Sequence, residues 1–309
     1  MSQIIEDEKY MRRCLQLARC GRNGSRPNPM VGAVIVADGR IIGEGYHVRC
    51  GEGHAEVNAF RSVSIQDERL LPEATVYVSL EPCAHYGKTP PCADLIVSKG
   101  VRRVVVGCVD EFAQVQGRGI EKLRSAGISV TVGVLEAECR WLNRRFFTFH
   151  AKHRPYIILK WAQSADGFLD CNGPAVSLST PLTQMLVHRL RAEEDAILVG
   201  RVTDEREHPQ LNVRHCSGRS PRRFVLSHAH PIDAILGECR AEGLQSLIVE
   251  GGRKTLESFL AAGLWDEIRV ESSPLNTKDG TRAPQLPPNL RLLSELFWEG
   301  RHICRYARS

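Results

Sequence analysis

The chain has 309 residues, of which 42% are hydrophobic and 25% charged, with a formal net charge of +5. That length is about twice a usual domain and predicts two, each able to bury its own core, which excludes a disulfide-stapled miniprotein. Mean hydropathy of −0.23 with no apolar run of spanning length excludes a membrane-embedded chain, and interleaved Lys, Arg, Asp and Glu suit a phosphorylated small molecule as well as nucleic acid. The N-terminal residues MSQIIEDEKYMRRCLQLARCG mix acids and bases and lack the continuous apolar segment of a secretory signal, so a cytoplasmic protein is expected.

Helical spacing of apolar residues predicts a helix from Glu6 to Ala18, ending near Gly21. An apolar strand over Met30 to Val36, a hairpin signal at Asp38-Gly39 and an extended Arg40 to Tyr46 follow. Helices near His54 to Ser62, Cys92 to Ser98 and Ile120 to Ser125 then alternate with strands at Thr75 to Val78, Arg103 to Val106 and Ile128 to Val132. An amphipathic stretch from Leu135 to Phe147 closes this half, which reads as an α/β sandwich with a largely parallel sheet. A polar segment ending at Pro155 marks the boundary, giving domains over 1–150 and 151–309. The second half predicts strands at Tyr156 to Lys160, Ala196 to Val199, Arg223 to Leu226, Ser246 to Val249 and Glu267 to Val270, with helices at Pro181 to Arg191 and Thr255 to Ala262. No internal repeat appears, so the halves are different modules.

Eleven cysteines, an odd number without an export signal, argue against a disulfide framework. Isolated ones such as Cys108 in VVVGCV read as small core hydrophobes, and Cys139 and Cys304 are expected to hold no metal. The chemistry concentrates in His54-Ala55-Glu56, Pro82-Cys83 and Cys92. One imidazole and two thiolates supply three of zinc's four tetrahedral positions and leave one open, the arrangement of a catalytic zinc. Glu56 is then the proton carrier that hydrolytic deamination of an aromatic amidine requires, the pattern of zinc-dependent nucleobase deaminases. His54 and Cys92 each open a predicted helix, where the helix dipole favours thiolate over thiol. The spacing departs from C-x-x-C: CAHYGKTPPC places eight residues between the thiols, a loop able to carry substrate contacts on His85 and Lys88 around the Gly87 hinge.

PNPMVGAVIV, GEGYH, GHAEVNAF and SLEPCAHYGKTPPC resemble, across the whole first half, the deaminase domain of the bifunctional riboflavin-biosynthesis deaminase/reductases. From Tyr156 onward KWAQSADG, STP, LRAEEDAILVG and LIVEGG resemble the same family's reductase domain. The resemblance implies a cytidine-deaminase-like three-layer α/β/α domain followed by a shortened dihydrofolate-reductase-like α/β domain. It implies zinc on His54, Cys83 and Cys92, proton transfer by Glu56, and substrate recognition by Asn28, His47, His85, Lys88 and Asp110. In the reductase half it implies substrate contacts from Arg191, Leu211, Arg214 and Glu250, and NADPH contacts from Gln163, Ser177, Thr203, Glu207, Gly252 and Thr255. The partner it implies is a phosphorylated pyrimidine, with no nucleic acid and no membrane, in a homo-oligomer. Gly251-Gly252, between a strand and a helix, permits close approach of backbone amides to a phosphate.

Departures from the family pattern qualify this. Asp110-Glu111-Phe112-Ala113 stands where the family reads Asp-Pro-Asn-Pro, the stretch from Arg214 to Leu247 is short, and Ser227 replaces an Asp. Glu207 occupies the usual acidic position but His208 stands in place of a second acid, and Ala175, Val176 and Ser177 lack the customary aromatic. These leave open a deaminase whose second domain is only a scaffold. A nucleic-acid-editing deaminase is disfavoured by the long Cys loop and by aromatics of only 6%.

Overall fold

A computed structural model describes residues 3–85, 90–111, 117–172 and 176–308. The chain divides into two compact units, Met1–Lys152 and His153–Ser309.

In the first unit a five-stranded sheet, in order β2-β1-β3-β4-β5, is built from β1 (Gly32–Ala37), β2 (Arg40–Tyr46), β3 (Thr75–Leu80), β4 (Arg103–Cys108) and β5 (Ser129–Val132). Strands buried on both faces read as continuous apolar runs, and β1 shows the consequence. Ala33, Ile35 and Ala37 pack beneath α2 (Ala55–Arg61), α3 (Cys92–Ser98) and α4 (Arg118–Ser125), whereas Val34 and Val36 pack beneath α1 (Gln3–Cys20), α5 (Glu136–Leu142) and α6 (Arg144–Lys152). Three layers result. Asp38 and Gly39 both take positive φ, 50° and 72°, as a two-residue hairpin of the right twist demands. The sheet is more mixed than expected: β1 runs antiparallel to both β2 and β3, and only β3, β4 and β5 are parallel. The amphipathic stretch from Leu135 is also not one helix. It breaks at Asn143, whose side chain accepts from the Met30 N–H at 2.8 Å and donates to the Met30 carbonyl at 2.9 Å, so the amide serves as a substitute backbone for the loop before β1.

The second unit holds a seven-stranded sheet in the order β11-β12-β10-β6-β9-β7-β8. The strands β6 (Tyr156–Gln163), β7 (Ala196–Gly200), β8 (Arg222–Leu226), β9 (Ser246–Val249) and β10 (Glu267–Ser272) are parallel. The antiparallel hairpin of β11 (Leu290–Trp298) and β12 (Arg301–Arg308) extends the sheet beside β10. One face buries Ile157, Leu159, Leu198, Leu247 and Val249 against α9 (Ile232–Ala241) and α10 (Arg253–Ala261). The other combines Ile197, Val199 and Ile248 with charged groups and faces α7 (Pro181–Glu193), whose start is fixed by a reciprocal Thr180–Thr183 capping box with Pro181 in the first turn. α8 (Arg201–Glu207), α9, β11 and β12 were not expected from the sequence.

Candidate functional site

His54 lies in extended conformation just ahead of α2, Glu56 is the second residue of that helix, Cys83 follows β3, and Cys92 opens α3. The helix starts therefore bring three ligand atoms within 4.8 Å of one another. His54 Nδ1 stands 3.6 Å from Cys83 Sγ and 3.4 Å from Cys92 Sγ. A tetrahedral zinc with bonds of about 2.3 Å to sulfur and about 2.0 Å to nitrogen separates S and N by roughly 3.5 Å, so the donor set fits the ion. The Cys92 backbone N–H donates to Cys83 Sγ at 3.3 Å. Hydrogen bonding from Cys92 and then from His54, against burial, pulls the Cys83 thiol down to about 4, while the hydrogen bond with Cys83, and then burial, pushes the Cys92 thiol up. Without metal the pair thus carries one thiolate, on Cys83, with Cys92 as its proton-bearing partner.

Glu56 is 3% exposed. Burial, then the Cys83 charge, pushes its carboxyl up to about 7. His47 meets the His54 ring edge-on at 5.3 Å. Burial lowers its pKa, so it is the neutral ring, and its contacts fix the tautomer: Nδ1 faces the Gly53 carbonyl at 3.2 Å and Nε2 faces the Asn28 amide nitrogen at 3.1 Å. Asn28 and His47, predicted separately, are thus joined. Asp110 is buried, and His85 is exposed at the end of the described loop; Lys88 and Gly87 lie outside the described residues.

Sequence reasoning missed two positioning groups. Asn58 donates to the carbonyls of Tyr46 and Gly53, which braces the turn that His47 also reads. Glu81 is a buried carboxylate that accepts from the backbone N–H groups of Asp110, Gly117, Gly119 and Ile120, tying the Cys83 loop to the segment carrying Asp110. The ring of backbone donors around Glu81 comes from residues 29 to 39 positions away, so no local pattern announced it.

In the second unit Thr203, Gly252 and Thr255 converge past the carboxyl ends of the adjacent parallel strands β7 and β9, the crevice where open α/β sheets take ligands. Gly252 caps α10 in extended conformation, and a Cβ there would lie 3.3 Å from Thr203 Oγ1. Gly251 is also required by packing, since a Cβ there would lie 2.6 Å from the Thr255 side chain. Arg191 is already engaged within the protein. Its guanidinium grips Glu250 through Nε at 3.1 Å and Nη2 at 2.8 Å, and Lys160 lies 3.7 Å from the same carboxylate. Arg214 is exposed, donates to the Gln210 and Asn212 side chains, and is anchored by its backbone N–H on His188 Nδ1 at 3.1 Å. Leu211 takes a left-handed φ of 52° and buries its side chain with Ile197, Val199 and Ile248. Gln163 ends β6 and accepts from Trp161 Nε1, Ser177 bonds the Ser179 carbonyl, and Glu207 is exposed at the end of α8. Lys160, within a motif already singled out, is the charged neighbour that sequence reading passed over.

The profile of the cytidine and deoxycytidylate deaminase zinc-binding region matches residues 4–108, and that of the RibD C-terminal domain matches residues 155–235. The riboflavin biosynthesis protein RibD of Aquifex aeolicus is 38% identical over 313 residues, covering 87% of each chain. That of Bacillus amyloliquefaciens is 32% identical over 332 residues, covering 91% of this chain and 87% of the relative. This chain belongs to the bifunctional riboflavin-biosynthesis deaminase/reductase family. The crystal structure of a diaminohydroxyphosphoribosylaminopyrimidine deaminase/5-amino-6-(5-phosphoribosylamino)uracil reductase from Thermotoga maritima matches with a TM-score of 0.90 at 31% identity, covering 100% of both chains. Acinetobacter baumannii RibD gives 0.89 at 29%, again over 100% of both. A zinc-binding deaminase domain and an NADPH-using reductase domain are both present, which joins the two halves in one biosynthetic function. No helix among the described residues is long and apolar enough to cross a membrane.

Proposed function

We propose that the chain deaminates 2,5-diamino-6-(5-phosphoribosylamino)pyrimidin-4(3H)-one with its first unit and reduces the ribose of the product with its second. The observation that carries the first step is the buried Glu56 carboxyl beside the converging His54, Cys83 and Cys92 donors. When bound by those three residues, zinc acidifies water and so supplies a nucleophile near neutral pH. Glu56 takes the proton from the attacking water at its carboxylate oxygen and returns it to the exocyclic nitrogen, which leaves as ammonia while the ring carbon keeps the oxygen. Asn28 presents its side-chain amide to the pyrimidine, and His47, with Nδ1 committed to Gly53 and Nε2 to Asn28, fixes the orientation of that amide and offers its ring to the substrate. Asp110, His85 and Lys88 complete the substrate contacts in this reading.

In the second unit Thr203, Gly252 and Thr255 would hold NADPH, with hydroxyl groups and the start of α10 available to its phosphates. NADPH supplies hydride, so the protein's part is orientation. Gln163, Ser177 and Glu207 complete that contact set, and Arg214 with Leu211 flanks the ribose phosphate. Glu250 would orient the ribose hydroxyls, and Arg191 acts through Glu250 as a positioning residue.

Cys83→Ser and Cys92→Ser are each expected to remove zinc from the first unit and abolish ammonia release, measured by metal content after dialysis and by ammonia assay; full retention of that zinc in either variant contradicts the ligand set. The sequential scheme is checked by supplying each unit's substrate separately. Ammonia release from the diamino compound is expected without NADPH, and NADPH oxidation is expected only once the deaminated product is present. Absence of NADPH oxidation on that product would contradict the second step.

A further inference from the structure

The β11–β12 hairpin turns at Glu299 and Gly300, both with positive φ (49° and 71°), and its register sets Glu295 opposite Cys304 and Phe297 opposite His302. Cross-strand partners share a face, and so do residues two apart on one strand, so Glu295, His302 and Cys304 form one surface cluster. Their ligand atoms lie within 4.8 Å of one another, the second such group among the described residues after that at His54. His302 Nε2 is 2.5 Å from Glu295 Oε1 and 3.1 Å from Cys304 Sγ.

The sharing of a single nitrogen decides what this cluster can do. In a thiol–imidazole–carboxylate relay the acid and the nucleophile engage opposite ring nitrogens, so that a proton can cross the ring. Here carboxylate and thiol crowd the same Nε2, and three donor atoms point at one place. At His54 both sulfurs likewise face one ring nitrogen, at separations that already fit zinc; at His302 the donors are closed into hydrogen bonds and have to open by roughly 0.4 Å for sulfur and roughly 0.9 Å for oxygen to admit the ion. The surroundings hold the ligands in position. Phe297 stacks parallel on His302, with centroids 4.3 Å apart at an angle of 3°, which fixes the ring plane. Tyr306, two residues on along β12, shares the face that carries His302 and Cys304. Cys304 is buried and Glu295 exposed, so one side of the cluster faces the sheet and the other faces water.

We propose that Glu295, His302 and Cys304 form a second binding site for a zinc-like divalent cation, with nitrogen, sulfur and oxygen donors and water completing the tetrahedron. Binding displaces the Cys304 thiol proton to solvent, forms the metal–sulfur bond, and involves no change of oxidation state. Cys304, to which sequence alone gave no metal chemistry, thereby becomes a ligand. The site stands in a different unit from His54, Cys83 and Cys92, so the two can be emptied separately.

The test loads the full-length, metal-stripped chain with cobalt(II) and counts bound metal per chain after dialysis, with thiolate-to-cobalt absorption as a second readout. Two equivalents are expected for the parent. One is expected for His302→Ala, one for Cys83→Ser, and none for the two combined. Ammonia release by zinc-loaded His302→Ala should match the parent. Should His302→Ala fail to fold, Glu295→Gln decides, since that side chain is exposed: it is expected to weaken the second equivalent by at least ~10-fold and leave the first unchanged. A single equivalent in the parent, or an unchanged second equivalent in His302→Ala or Glu295→Gln, overturns the proposal.

Discussion

Glu56→Gln is expected to lower the deamination rate by about 10²- to 10⁴-fold, the usual weight of a general acid–base group, while zinc content stays that of the parent. Glutamine keeps the size and helix propensity of the residue it replaces, so α2 and the His54 position survive. What it cannot do is accept a proton from water and give it to a departing nitrogen. Binding of substrate should change little, because Asn28 and His47 are untouched. The substitution also has an expected effect on the metal-free protein. Burial raises the folded-state Glu56 pKa from 4.5 to about 7, so its stabilising contribution is complete below 4.5 and is lost as pH rises through 7. Above that pH the parent keeps a buried carboxylate that the variant lacks, and metal-free Glu56→Gln should be the more stable by a few kcal/mol, at about 1.4 kcal/mol per pK unit. Bound metal should narrow the gap, since a dication favours the carboxylate. Denaturant titrations at pH 4.5 and pH 8, with and without zinc, measure this. Loss of metal by the variant, or activity within tenfold of the parent, would contradict the role of Glu56.

The parts of the molecule that could be read from sequence are those whose physics is local. His54, Glu56 and Cys92 sit at helix starts, where dipole and open backbone geometry make ligand chemistry recognisable from short motifs, and Asp38-Gly39 announces its own turn. Glu81 resisted because its four donors come from a segment far along the chain. The interruption at Asn143 resisted for the same reason: its partner is Met30, 113 residues away. Among secondary elements, α9 carries apolar residues at 232, 235, 236 and 239, a helical spacing that was legible but unread. β11 was different. A register shift between Leu292 and Ser294 breaks its alternation, most of the strand is exposed, and its hairpin uses Glu-Gly in place of the Asn-Gly or Asp-Gly that would signal the turn. In the reductase unit sequence supplied Arg191 and Glu250 as separate substrate contacts, and only the fold shows that they are each other's partners.

That partnership makes Glu250 the most consequential single position of the second unit. Its side chain is 10% exposed and holds Arg191 in a two-pronged grip with Lys160 alongside. Burial alone would raise the carboxyl's pKa; the charge of Lys160, then the hydrogen bonds and charge of Arg191, reverse this and hold it at about 2 against an ordinary 4.5. Because the folded value is depressed, the stabilisation is present above 4.5 and is lost as pH falls from there toward 2, by about 3 kcal/mol at about 1.4 kcal/mol per pK unit. Glu250→Ala would leave Arg191 and Lys160 buried without an opposing charge, and such breakage is expected to cost about 3–5 kcal/mol at pH 7. Glu250→Gln keeps the shape and one acceptor, so it should cost less and, having nothing to titrate, should flatten stability between pH 4.5 and 2. Either variant should depress NADPH oxidation on the deaminated product and spare ammonia release, whose residues lie in the other unit. Denaturant titrations across that pH range, run beside the two activity assays, separate the outcomes. An acid-induced loss in Glu250→Gln as large as the parent's would place the titrating group elsewhere, and equal damage to both activities would mean that the substitution unfolds the chain and does not act through the Arg191 grip.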